Sequence, residues 1–309
     1  MWTGDRTRMM IDNTAPSEEP DMSFEDVMAT MMRFATAAEA LAAVGAELAL
    51  AQSGESAPPE IVGALRAVST AADVGDLGEI PPPQQAIMLS VIRMYLRQSA
   101  DLLEEPSRAP GWTFTDPTIL DGWGRGSTMV PALIAAAHPD LAQVESLLDV
   151  GTGVGLLAVA AANLWPNASV VGIDRWDPAL DRAHANVEQA RLRDRITLRH
   201  QALTDLDDID TFDCAWIPTF FVTEADLERA LPGVLRAMRP GGWIALGRRR
   251  TIPDPLAEAT AVLRTIRGGG CEIDEKRAIE LLEAVGCHDV HAAPSAGPAP
   301  LELVLGRRA

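Results

Sequence analysis

The chain is nearly without lysine: of its 26 basic side chains, Lys276 is the one that is not arginine. Acids outnumber bases, 44 to 26, and the net charge is −18 with a pI near 4.6. A polyphosphate would be repelled by such a surface, so nucleic acid is excluded as an expected partner. The densest basic run, Arg248–Arg249–Arg250, directly follows a predicted strand and reads as a solvated strand end. Cysteine is equally scarce. Cys214, Cys271 and Cys287 show no paired spacing, which excludes a disulfide scaffold or a metal framework and fits a reducing compartment. No basic-then-apolar leader opens the sequence. The most apolar helical stretch, 37–51, is short for a bilayer and carries Glu39 and Glu47, so we expect a cytoplasmic protein with no membrane partner.

What is present is apolar residue in quantity. The 309 residues are 47% hydrophobic, enough for a packed core, and their number points to two domains. Residues 1–21 are polar, proline-containing and aperiodic, and read as a disordered lead. Ser23 then suits a helix N-cap ahead of Glu25 and Asp26. Phe24, Val27, Met28, Met31, Phe34, Ala38, Leu41, Val44 and Leu48 follow at helical spacing. This wide stripe needs a covering surface, either the rest of the chain or a second copy. We expect a homodimer through these helices. Further helices are predicted over 61–70 and 84–104, a loop over 106–127, and a helix to about 137. Residues 22–138 thus form a helical dimerisation or lid domain.

From Val144 the pattern changes. Strands are predicted at 146–150, 168–174, 195–200, 212–217 and 243–247, alternating with helices at 156–164, 178–191, 224–238, 254–267 and 274–285. Such alternation implies a parallel sheet covered on both faces. The last strands, 287–292 and 301–306, are joined by too short a loop for a crossover and should pair antiparallel. The fold class is therefore α/β: a Rossmann-like seven-stranded sheet with an antiparallel last strand, occupying 139–309, preceded by the all-helical region.

The strongest local signal is LLDVGTGVG, residues 147–155. A buried strand runs into Gly151, Gly153 and Gly155, and a helix starts at once. Glycine is required where φ is positive or a ligand must come close to the backbone, and ligands of open parallel sheets lie at the strand C-termini. The dinucleotide fingerprint would place its third glycine at position 156, which is Leu156, and no P-loop lysine follows. Asp174 ends the next strand, where a carboxylate can accept hydrogen bonds from ribose hydroxyls. Asp177, beside Pro178, suits the N-cap of the following helix.

With Asp149 preceding the three glycines, residues 146–306 resemble a class I S-adenosylmethionine-dependent methyltransferase. The resemblance implies that S-adenosyl-L-methionine is the cofactor and that the loop Gly151–Thr152–Gly153 and Gly155 runs under its methionine part. It further implies that Asp149 helps hold the amino group and that Asp174 holds the ribose. Arg175, Trp176 and Trp216 flank that site, with Trp176 placed to lie against adenine. Where the family often has an acid after strand three, this chain has Gln201–Ala202–Leu203, with Asp205 a competing candidate. The turn RPGG (239–242) matches a structural loop of the family.

On the reaction side the chain departs from its relatives' patterns. Ile217–Pro218–Thr219–Phe220 stands where amino-group methyltransferases often carry Asn or Asp before Pro-Pro-aromatic, and no general-base histidine follows. The five histidines, at 138, 184, 200, 288 and 291, fall off the reaction-side loops, so no catalytic residue is named. Methyl transfer to an electron-rich nucleophile needs alignment above all. Trp216, Phe220 and Phe221 suit an apolar or aromatic acceptor, with Ile217 beside them. The segment 111–129 could close the pocket, with Tyr95, Trp123 and Arg125 facing substrate, or with Arg125 holding the cofactor's carboxylate instead. No metal is expected. The expected function is O-, N- or C-methylation of a small metabolite in specialised metabolism. The alternatives are a non-methylating use of the cofactor that releases methylthioadenosine, and a non-catalytic cofactor-binding regulator.

Overall fold

A computed structural model of the chain describes residues 22–294 and 301–309. The expected lead at 1–21 and the hairpin loop at 295–300 lie outside the described residues.

Among the described residues, five α-helices precede the sheet: α1 (Phe24–Ser53), α2 (Pro59–Ala71), α3 (Pro82–Glu104), α4 (Pro117–Ser127) and α5 (Val130–Ala137). Ser23 caps α1 through a reciprocal box with Asp26, its hydroxyl accepting from the Asp26 amide while Asp26 accepts from the Ser23 amide. Helices α1 and α3 pack together through Val44, Leu48, Leu89 and Ile92, with Leu77 of a short 3-10 turn filling in beside them. Gly45 lets α3 approach: a Cβ there would meet Ile92 at 3.0 Å. The rest of α1 is left bare. Of its 30 residues, Val44, Gly45 and Leu48 are buried, while Phe24, Met31, Met32 and Phe34 are exposed. The helix runs well past the stretch 37–51. By length and composition alone it is apolar enough to cross a membrane, with a mean hydropathy of 1.5 over 18 residues. The stretch 37–51 is thus the inner part of a longer apolar helix.

The strands are β1 (Ser146–Val150), β2 (Ser169–Asp174), β3 (Ile196–His200), β4 (Phe212–Pro218), β5 (Met238–Arg249), β6 (His288–Ala292) and β7 (Leu301–Arg307). Their order is β3-β2-β1-β4-β5-β7-β6, with β7 antiparallel to both β5 and β6. Between them run α6 (Leu156–Leu164), α7 (Asp177–Gln189), α8 (Glu224–Ala237), α9 (Pro255–Arg267) and α10 (Glu275–Ala284). Side chains alternate across the sheet with period two. Leu147, Cys214, Trp216, Trp243 and Ala245 enter the core shared with Ala158 and Ala161 of α6. Leu148, Ala215, Ile217, Ile244 and Leu246 enter the opposite core, with Leu231 of α8 and Leu282 of α10.

Three local expectations are corrected. The segment 117–127 is helical, not loop: Asp116 caps it, accepting from the Thr118 amide, and Pro117 takes the first turn. The RPGG segment is not a turn ahead of a strand but an irregular part of β5, with Gly241 at φ 82°. Phe212 pairs with Met238 and Cys214 with Trp243, so the extra residues bulge out. Arg248 and Arg249 consequently lie within β5, tied to Glu302 and to Glu258 and Glu272 respectively. Finally, Asp177 opens α7 as its first residue and Trp176 is the N-cap.

Candidate functional site

The C-terminal ends of β1 and β2 meet around Asp149, Gly151–Gly155 and Asp174. Gly151, Gly153 and Gly155 all have positive φ, at 65°, 55° and 73°, so the loop needs glycine at each. Gly155 also brings α6 onto α7, where an added Cβ would stand 3.1 Å from that of Ala183. The Thr152 amide donates to the Ile173 carbonyl at 3.0 Å, and the Asn186 side-chain amide donates to the Val154 carbonyl at 2.9 Å. The loop is therefore pinned from β2 and α7.

The two carboxylates differ in their surroundings. Asp174 Oδ2 accepts from the Gly153 amide at 2.8 Å and Oδ1 from the Trp176 amide at 2.9 Å. Burial raises its pKa, and those backbone donors oppose the rise. Asp149 is buried, pairs in register with Trp216, and has one donor: the Thr152 hydroxyl, 2.7 Å from Oδ2. Oδ1 has no hydrogen-bond partner among the described residues. Burial first, and the nearby Asp174 charge after it, push its pKa up to about 7, with the Thr152 bond pulling the other way. An unpartnered buried carboxylate oxygen beside a glycine cradle is a place for a cationic nitrogen, so the residues fit a ligand with an ammonium and a ribose. Sequence reasoning missed Gly172, which makes room for Thr152: a Cβ there would fall 2.6 Å from its hydroxyl. A lone glycine inside the strand VVGID was the available signal.

The other expected residues spread around this edge. The Gln201 amide donates to the Asp174 carbonyl at 2.8 Å, and its side chain donates to the Asp205 carbonyl. Ala202 and Leu203 lead into a short 3-10 turn. The Arg175 carbonyl lies 3.0 Å from His200 Nε2. The Trp176 indole donates to the Phe114 carbonyl at 2.8 Å and packs with Leu120, Val154 and Ala179, binding the linker to the loop. Helix α4 lies directly on that loop, since a Cβ on Gly124 would come within 2.2 Å of Val154. The Arg182–Asp121 ion pair fastens α4 to α7.

Among the residues expected to face substrate, Phe221 contacts Trp112 and Trp123 edge-on, each at 5.2 Å between ring centroids, and Phe220 at 4.9 Å. Tyr95 joins Trp112 and Trp123 and lies under the Arg264 guanidinium at 4.9 Å. The indole nitrogen of Trp123 is buried and unpartnered among the described residues. Arg125 stands exposed in the last turn of α4. Ile217 is fully buried in the α8–α10 core, a correction to its expected place against substrate. No base appears at the reaction-side turn. The Thr219 hydroxyl donates to the Gly247 carbonyl at 3.0 Å, and the Cys271 thiol, pushed up to about 12 by burial, contacts the Thr219 carbonyl.

Residues 147–242 match the family described as "Methyltransferase domain". A release factor glutamine methyltransferase of Rhodopirellula baltica is 36% identical over 103 residues, which cover 33% of this chain and 34% of that protein. The chain thus spans about a third of that curated relative. Among solved structures, the mitomycin 7-O-methyltransferase MmcR superimposes with a TM-score of 0.63 at 20% identity, covering 92% of this chain and 98% of that one. Human N-acetylserotonin methyltransferase, in complex with S-adenosylmethionine, does so with a TM-score of 0.63 at 13% identity, covering 95% and 99%. The likeness to these structures extends over both the helical region and the sheet.

Proposed function

We propose that this chain, which belongs to the class I S-adenosylmethionine-dependent methyltransferases, methylates a small apolar or aromatic metabolite. The observation that carries the reading is the cradle of Asp149, three positive-φ glycines and Asp174, closed over by a linker of aromatic side chains.

The cofactor supplies an electrophilic methyl on a sulfonium. Asp149 receives its ammonium at the unpartnered Oδ1, and Asp174 keeps acceptor capacity for ribose hydroxyls beside its two backbone donors. Trp112, Trp123, Phe220 and Phe221 exclude water and orient a flat acceptor. Thr219 and Cys271 are committed to carbonyls, so the chain contributes alignment in place of a base at this turn. An acceptor that is nucleophilic at neutral pH suits such a site.

Incubation of the protein with S-adenosylmethionine and a panel of phenols, aromatic amines and activated aromatic carbons tests this by mass spectrometry. S-adenosylhomocysteine together with an acceptor heavier by one methyl is expected. Methylthioadenosine would replace methyl transfer with the non-methylating alternative, and tight binding without turnover would favour a regulatory role.

We also propose a homodimer through α1. Between its acidic first turn and Glu47, α1 carries one cation, Arg33, and one anion, Glu39, opposite charges that a self-pairing face can match. A cytoplasmic location goes with it, in keeping with three free thiols. Recovery of the protein in the membrane fraction after cell lysis would overturn both.

A further inference from the structure

Asp149 and Asp174 sit on neighbouring strands with opposite provision of donors. Asp174 has a backbone N–H on each oxygen. Asp149 has a single hydroxyl on one oxygen and none on the other, although an ionised carboxylate offers about four acceptor positions. Two like charges this close do not both ionise readily in a buried setting, and the donors assign the negative charge to Asp174.

The groups facing Asp149 from each neighbouring element do not reverse that assignment. From β2 there is Asp174 and, next along, Arg175, whose charge acts on Asp174. From β4 there is Trp216 in register, and Cys214 two residues earlier, a buried thiol pushed up to about 12. The glycine loop offers Thr152. Below neutral pH Asp149 is therefore mainly the neutral acid when a cationic ligand arrives.

We propose that S-adenosylmethionine binding expels one proton from Asp149, which is a neutral acid before the ammonium reaches it and a carboxylate afterwards. The inference rests on the cofactor reading above and adds a linkage to it. The Asp149 O–H bond breaks, its proton goes to buffer, the ligand ammonium keeps its charge, and no covalent bond of the cofactor changes. Because the charged form is the one that binds, affinity rises with pH until Asp149 ionises without help, near pH 7.

The test is calorimetric titration of the full chain with S-adenosylhomocysteine, which carries the same ammonium, in two buffers of different ionisation enthalpy. Release of about 0.9 proton is expected at pH 6 and about half a proton at pH 7, with Kd falling roughly tenfold between pH 5.5 and 7. Methylthioadenosine has the ribose but lacks the amino-acid portion, and should bind without proton release. Asp149→Asn should bind S-adenosylhomocysteine more weakly and release none. Buffer-independent heats with the unaltered protein at pH 6 would overturn the proposal without needing the variant. Equal release with methylthioadenosine would do the same, by moving the proton to Asp174. If neither nucleoside binds at any pH, the cofactor reading itself falls and takes this inference with it.

Discussion

The sheet half and the helical half of this chain bury their apolar residues to different depths. Every residue of β1 is interior, and β4 is interior but for Asp213. Helix α1 is 30 residues long and buries three. Burial on both faces leaves the sheet self-sufficient, and its strand ends can hold a left-handed glycine loop and two carboxylates in place. The helical half buries a small core of its own and leans on the sheet through α4, while most of α1 is left exposed by the described residues.

The largest effect that tests this contrast is a truncation at the sheet's centre. Ile217→Ala removes a side chain that is completely buried between β4, α8 and α10, and should cost about 2–5 kcal/mol in urea denaturation. Leu41→Ala, on a residue of α1 that is 37% exposed, should cost well under half of that. Equal losses would break the contrast.

Next in size is the charge buried at the sheet edge. Asp149 has a folded pKa of about 7 against 3.8 for the unfolded chain, so the unfolded state gives up its proton first as pH rises. Stability is therefore lost progressively from about pH 4 to pH 7 and is constant above. Asp149→Asn removes that dependence. Its stability relative to the unaltered protein should be greater at pH 8 than at pH 5 by about 2–3 kcal/mol, an order-of-magnitude figure from the pKa displacement. Denaturation at the two pH values checks it, and a pH-independent difference would place the titration elsewhere.

The same contrast explains what could be read without coordinates. The short, almost wholly buried runs of β1 and β4 and the glycines at 151, 153 and 155 are direct imprints of burial and of backbone conformation, so the sheet, its reversed last strand and the glycine loop were legible. Helix α4 was not. Gly122, Gly124 and Gly126 lower its helix propensity, and two of them are there because α3 and the glycine loop press on the backbone, at Met94 and Val154. A tertiary demand of that kind reads locally as a loop. Ile217 was misplaced for a related reason: a strand residue next to the reaction-side motif still points to the far face when its register parity says so. Trp176 shows the third limit, since its indole hydrogen bond reaches Phe114, 62 residues away in sequence.

Gly124→Ala sharpens the comparison where the halves touch. The new methyl would meet Val154 at 2.2 Å, so either α4 lifts or the loop shifts. We expect a loss of about 1–3 kcal/mol in stability together with weaker S-adenosylhomocysteine binding. Gly126→Ala, with open space at its Cβ, should leave both nearly unchanged. A loss of stability with unaltered binding would show that α4 supports the fold without shaping the loop.

The smallest expected change in stability belongs to α1, and its smallness is informative. Met31 and Phe34 are 47% and 46% exposed, three residues apart on one face, with neither in the cluster of Val44 and Leu48. Replacing both with Ser removes apolar surface that the described residues leave uncovered, so a monomer should lose no more than about 0.5 kcal/mol. If a second copy covers the face, the same substitutions remove buried contacts from both sides of a two-fold interface and count twice. Light scattering at micromolar concentration should then move from a dimer's mass toward a monomer's, while denaturation at high dilution stays where it was. A variant that loses stability at high dilution but keeps its mass would mean that α1 folds back on its own chain, and the helical half would prove as self-sufficient as the sheet.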